Sequence, residues 1–374
     1  MTTSTLARTP LRDWHASHGA RLVDFAGWEM PVQYTSIVEE HTATRTAATL
    51  FDVSHMGRLR FDGPGAAAFL DKLLTRKVEG LAPGKVRYSL MCNDAGGILD
   101  DVLIYHLVDE HLKPFHWLVV NASNREKIIA WIEDHQPAAH DTAYADHTIS
   151  TAMIAVQGPL AIEITHEALG FDVSQLGNYN AVVTTIEGNT ALISRTGYTG
   201  EDGCEIVVPS IIAAATWQKL YDVGHPRGLR AAGLGSRDTL RLEAAMPLYG
   251  HELSEKIDPL TAGLGFAVNM QGRDFVGRAA LDIIRQTDAM PARVGLELAS
   301  RRVPREHYPI VRPDDATQVL GEVSSGTFSP TLDRPIAMGY VPREYAAPGT
   351  MLAVDIRGKL EPAQVVALPF YKRT

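Results

Sequence analysis

Apolar residues change their spacing several times along the chain, and those changes outline the elements. Over 35–48 they recur at helical period and predict an amphipathic helix, 58–61 alternates as a short strand, and 65–74 returns to helix after a start marked by Gly63 and Pro64. From Val86 to Asn121 the pattern is that of strands: 88–93, a turn at Asp94, Ala95, Gly96 and Gly97, then 98–108 and 116–121. The Gly-Gly pair supplies the positive φ that a tight hairpin needs. Ser123 with Glu126 three residues later has the form of a capping box and predicts a helix running toward His135. Pro159 and Ser210 mark two further helix starts, and a fourth helix is predicted over 236–245, behind the Gly-rich stretch at 233–235. Around Asp288 to Pro291 the character changes. Short apolar runs at 294–298, 319–323, 336–341, 351–356 and 360–368, separated by Pro and Gly, have the spacing of a small barrel or sandwich. The chain is therefore expected to be α+β, with a boundary dividing 1–285 from 290–374.

Composition narrows the class. At 374 residues, with 45% hydrophobic and 21% charged side chains, the chain has enough apolar content for more than one packed core. A net charge of −9 argues against a nucleic-acid backbone as the main partner. No apolar run approaches 18 residues and the first residues form no secretory signal, so a bacterial-type cytoplasm is expected, with no membrane partner. Cys92 and Cys204 are too few for a disulfide framework and read as packing residues. His106, His111 and His116 recur every five residues, which matches neither a helix face nor a strand face, and no metal motif is present.

Four segments bear on chemistry. Gly63, Gly65 and Ala68 imitate a dinucleotide fingerprint, but no acidic residue closes a second strand at the required distance, so no nucleotide is expected. In G-G-I-L-D-D-V-L-I-Y, two adjacent carboxylates interrupt an apolar strand. Alternation puts Asp101 with Leu99, Leu103 and Tyr105, and Asp100 with Ile98, Val102 and Ile104. A carboxylate in such company is hydrogen-bonded, paired or protonated, and the pattern fits either a functional acid or a hairpin cap. The run from Arg195 to Glu205 packs three glycines and three acids into eleven residues, as a tight loop closely approached by something or as an ordinary surface loop; Glu205 then opens an apolar strand. Arg237 stands near a helix start, where it suits a carboxylate-bearing ligand or a partner such as Glu205.

Taken together, F-A-G-W-E-M-P-V-Q-Y (25–34), F-D-V-S-H-M-G (51–57), G-G-I-L-D-D, G-Y-T-G-E-D-G, R-L-E-A-A-M-P-L-Y-G (241–250) and S-P-T-L (329–332) make a chain that resembles the glycine cleavage T-protein family from Thr9 to Tyr371. The resemblance implies a multi-lobed α+β folate-binding fold with a C-terminal β-barrel, and a tetrahydrofolate-dependent aminomethyltransferase. Its substrates would be tetrahydrofolate and the aminomethyl-loaded lipoyl arm of H protein. Its products would be 5,10-methylenetetrahydrofolate, ammonia and the dihydrolipoyl arm, with no metal, flavin or nucleotide involved. It further implies Asp101 as the catalytic acid and Tyr88, Asn121, Tyr198, Glu205, Arg237 and Tyr371 around the folate.

Other folate enzymes on the same scaffold, and non-catalytic folate-binding relatives, are the alternatives; the first include a flavin-bearing class, and the second generally lack the complete motif set. Two positions depart from the family pattern: Phe266 where tryptophan is usual, and His307 where a positive-φ glycine is usual. Arg301, Arg302 and Arg305 form the densest basic cluster and read either as a dock for H protein or as a solvated loop.

Overall fold

The computed structural model describes residues 5–136, 141–287 and 290–373. They fall into two compact units, Met1–Ser89 with Asp101–Arg237, and Leu90–Asp100 with Asp238–Thr374. Asp288 and Ala289, within the compositional change noted above, lie outside the described residues.

The first unit is built on a six-stranded sheet. Its order is Ala181–Ile186, Asn189–Ser194, Gly203–Pro209, Thr151–Gln157, Thr49–Asp52, Arg230–Ala232. One face carries Leu50, Ile154, Val156, Ile193, Ile206 and Val208. These pack with Trp217 and Leu220 of the Ala213–Gly224 helix and with Ile164 of the Ala161–Leu169 helix, all fully buried. Each such side chain is worth about 1.5–3 kcal/mol of transfer free energy, so this face is the hydrophobic anchor of the unit. A five-stranded sheet runs Lys85–Cys92, Ile98–Val108, Pro114–Val120, Gly57–Asp62, Ala143–Asp146, and a three-stranded sheet joins Ala7–Arg8, Trp28–Gln33 and Arg21–Phe25.

The second unit contains a closed barrel, all of whose recorded pairings are antiparallel. Its order is Ala292–Leu298, Arg334–Val341, Asp315–Ser329, Pro309–Arg312, Met351–Ile356, Lys359–Val366, closing on the first strand. Inward residues such as Leu296, Ile310, Val323, Ala337 and Val354 form its core. Closure leaves no open edge, which resolves the choice between barrel and sandwich.

Most elements lie where the pattern put them: Ile98–Val108 and Met351–Ile356 keep their predicted bounds, and the first long helix is Ile37–Thr46, capped by Ser36 accepting from the Glu39 N–H. The capping box at Ser123 does not form. A 3₁₀ turn over Ala122–Asn124 comes first, and the Arg125–Asp134 helix starts from Asn124 with no side-chain cap. The strand read at 319–323 extends over Asp315–Ser329, because its exposed first half is polar and carries no apolar signal. The glycines of the fingerprint-like segment are explained by a neighbour: a Cβ on Gly63 would meet the Asp141 carbonyl oxygen at 2.2 Å, and one on Gly65 the Asp141 carboxylate. The strand before them pairs antiparallel on both sides, not in a parallel nucleotide-binding unit.

His106 and His116 are cross-strand partners with rings stacked 4.7 Å apart, and burial, followed by His106, holds His116 down at about 4. Cys92 and Cys204 are both buried and free, their thiols pushed up to about 12 chiefly by burial. Among the described residues no group of three or more His, Cys, Asp or Glu is placed to hold a metal ion, and no helix is long and apolar enough to cross a membrane.

Candidate functional site

Asp101 is half-buried in the Ile98–Val108 strand. The Tyr88 hydroxyl donates to its Oδ2 at 3.1 Å, and Asn121 Nδ2 donates to its Oδ1 at 2.8 Å. Tyr88 comes from the preceding strand, and Asn121 directly follows the Pro114–Val120 strand. Three neighbouring segments of one sheet thus fix the carboxylate. Burial pushes its pKa up to about 6 against the lowering effect of the two hydrogen bonds. Asp100, its neighbour in sequence, is fully buried.

Glu205 lies in the Gly203–Pro209 strand of the six-stranded sheet. Registered pairs place Ser194, Glu205, Ala155, Phe51 and Ala232 in one row across five of the six strands. Alternation turns this row away from the helix-packed face, which takes Ile154, Ile206 and Ile193 instead. Glu205 is 5% exposed, and the Thr196 hydroxyl donates to its Oε2. Burial raises its pKa, opposed by the Thr196 hydrogen bond and the charge of Arg237. Tyr105, four residues beyond Asp101 on the same strand face, is pushed up by burial and then by the Glu205 charge.

Arg237 lies in the Leu234–Glu243 helix, 4.6 Å over the Tyr198 ring. Burial lowers its pKa, against Tyr198 and Glu205, and its Nη1 has no hydrogen-bond partner among the described residues. Six of the seven residues singled out as site candidates, Tyr88, Asp101, Asn121, Tyr198, Glu205 and Arg237, therefore belong to the first unit. The seventh, Tyr371, belongs to the second, where its N–H donates to the Glu243 carbonyl at 2.8 Å.

The Arg195–Glu205 loop is drawn tight by the protein itself. Gln157 Nε2 donates to the Val156, Thr196 and Cys204 carbonyls, and its Oε1 accepts from the Thr199 hydroxyl at 2.9 Å. A Cβ on Gly197 would meet that Oε1 at 2.1 Å. Two of the loop's three acids are held by arginines: Glu201 by Arg45 at 2.9 Å and Asp202 by Arg195 at 2.6 Å. The proposed basic dock is largely neutralised, since Arg301 is bidentate to Asp333 and Arg302 pairs with Glu361.

A second buried network was not visible in the sequence. The Tyr34 hydroxyl and His15 Nδ1 are 2.7 Å apart, His15 Nε2 and Asp52 Oδ2 are 2.9 Å apart, and the Thr9 hydroxyl donates to the same oxygen at 2.6 Å. For Asp52, burial alone would raise the pKa, but His15, Ser54 and Thr9 outweigh it and bring it down to about 2. Asp52 and Tyr34 fall in two of the quoted motifs, but nothing in either pairs them with each other or with His15.

A family model described as "GCVT N-terminal domain" matches residues 11–272, and one described as "Glycine cleavage T-protein C-terminal barrel domain" matches 292–372. The chain is 48% identical over 374 residues to an aminomethyltransferase of Symbiobacterium thermophilum, covering 98% of each. It is 44% identical over 368 residues to an aminomethyltransferase of Desulfitobacterium hafniense, covering 98% of this chain and 99% of the relative. Its fold matches the crystal structure of glycine cleavage system aminomethyltransferase T from Bartonella henselae with a TM-score of 0.90, at 33% identity and 98% coverage of both chains.

Proposed function

The chain belongs to the glycine cleavage T-protein family and is an aminomethyltransferase, and from that premise we propose that Asp101 is the acid on which its transfer step depends. Tetrahydrofolate, the one-carbon acceptor of this family, binds on the sheet face that carries Glu205, with H protein as the lipoyl-arm donor. Residues 1–285 form the folate-binding region and 290–374 the barrel domain.

The reaction sets the requirements. The aminomethyl carbon leaves sulfur and ammonia and ends between two folate nitrogens. The two N–H protons of the folate must therefore reach the departing sulfur and amine. Positive charge develops on the carbon in transit. A carboxylate held by Tyr88 and Asn121, with a pKa of about 6, stabilises that charge and exchanges a proton near neutral pH. Glu205, buried with only a hydroxyl donor on Oε2, accepts from the N–H donors of a pterin edge, and Arg237 over Tyr198 supplies a complementary donor. The half-buried Asp101 carboxylate, held by Tyr88 and Asn121 on an otherwise apolar strand, is the observation that carries this reading.

A coupled assay with aminomethyl-loaded H protein and tetrahydrofolate tests it. Asp101→Asn should lower turnover by about 100-fold or more while folate affinity is kept. Glu205→Ala should weaken calorimetric folate affinity by roughly tenfold or more. Near-normal turnover in the first variant removes Asp101 from the chemistry, and unchanged affinity in the second moves the folate elsewhere.

A further inference from the structure

His55 is 2% exposed, and its Nδ1 has no hydrogen-bond partner among the described residues. It follows the Thr49–Asp52 strand, whose parallel neighbour Arg230–Ala232 leads into the helix bearing Arg237. Phe51 is level with Ala232, so His55 and Arg237 leave the sheet from the carboxyl ends of adjacent parallel strands. Arg237 carries the second unpartnered buried atom of this neighbourhood, Nη1.

The turn holding His55 is rigid. Arg58, itself fully buried, donates from Nη1 to the carbonyls on either side of the histidine, Ser54 at 3.0 Å and Met56 at 2.6 Å. Its remaining donors go to Thr151 and to the Thr148 carbonyl. The Ser54 N–H donates to Asp52 at 2.9 Å, and Phe25 meets the His55 ring edge-on at 5.5 Å. A turn held this firmly, presenting a buried ring nitrogen that has no partner among the described residues, has the character of a pre-organised ligand contact rather than of packing alone. Burial keeps it neutral, with a pKa of about 3, despite the nearby Asp52 carboxylate and in step with the charges of Arg237 and Arg58. A neutral imidazole beside a guanidinium offers one ring nitrogen as acceptor and the other as donor, so the pair can meet a ligand edge that both donates and accepts.

We propose that His55 is a further folate-contact residue, its Nδ1 hydrogen-bonding the bound tetrahydrofolate beside Arg237. The inference rests on the folate reading given above. His55→Phe keeps a planar ring and removes the nitrogen, whereas His55→Asn restores a polar atom near the position of Nδ1. By calorimetry, His55→Phe should weaken tetrahydrofolate affinity by about tenfold, the value of one buried hydrogen bond, and His55→Asn should recover most of it. The KM for H protein should not change in either. If both variants melt at lower temperature yet bind folate as the wild type does, His55 is structural and the inference is wrong. Glu205→Ala, measured alongside, separates the two readings. Loss there with none in His55→Phe overturns only the His55 contact, while no loss in either overturns the folate site itself.

Discussion

Replacing Asp101 with asparagine separates two properties that its carboxylate joins. The folded-state pKa is about 6 against an ordinary 3.8, because burial outweighs the hydrogen bonds from Tyr88 and Asn121. Between those values the folded chain keeps a proton that the unfolded chain has released. Stability therefore falls as pH rises through this window, and the loss is complete above it. A difference of about two pH units, at 1.36 kcal/mol each, gives about 3 kcal/mol as an upper bound, and partial exposure reduces it to about 1–2 kcal/mol. Asparagine carries no charge and fits the same partners. Its oxygen accepts from Asn121, and its amide donates to the Tyr88 hydroxyl, which reverses its role. The variant should be nearly inactive and yet melt higher than the wild type near pH 8, by on the order of 2 °C per kcal/mol. The two melting temperatures should converge only as pH falls below about 3.8, where Asp101 is protonated in the folded and the unfolded chain alike. Paired thermal melts across this range, with turnover measured near pH 8, provide the assay. A variant that is less stable near pH 8, or a difference that does not shrink with acid, would refute the charge-penalised carboxylate.

Two other perturbations address features outside the catalytic acid. Asp52→Asn leaves His15 and Thr9 with a neutral partner in a fully buried network and should cost about 3–5 kcal/mol near neutral pH by denaturant unfolding. The Asp52 contribution is present above pH 3.8 and is lost only as pH falls through about 2, so the penalty should be constant from mildly acidic to neutral pH. His307→Gly relieves a side chain held at φ +67 and should change stability by no more than about 1 kcal/mol, in the stabilising direction, by the same measurement.

Local pattern carried much of this fold. Ile98–Val108 was legible because a largely apolar run follows a Gly-Gly turn, and its two aspartates stood out by contrast with their neighbours. The positive φ inferred at His307 is present. What the pattern could not carry was pairing across distance. Nothing near Asp52 announces His15 or Tyr34, and nothing in the glycine-rich loop announces Gln157, whose side chain decides why Gly197 has no Cβ. Glu205 stood apart in the sequence because it opens an apolar strand, and the fold adds that Glu201 and Asp202 are held by arginines whereas Glu205 meets a hydroxyl. The Ser123 box failed for a local reason, a 3₁₀ turn competing for the same residues, which composition does not reveal.

The interleaving of the two compact units has a consequence for the chain as it leaves the ribosome. The hairpin tip at Leu90–Asp100 is synthesised early but belongs with residues beyond Asp238. The Ile98 N–H, for example, donates to the Ser254 and Ile257 carbonyls. Those partners emerge about 150 residues later, which at about 5–20 residues per second is a wait of roughly 8–30 s. During that interval Leu90, Met91, Cys92, Ile98 and Leu99, all buried in the finished fold, have no final packing partners. The hairpin tip that leads into Asp101 is thus made early and secured late. Nascent chains stalled before Ser254 would present an apolar hairpin to chaperones, whereas chains released after it can bury that hairpin on their own.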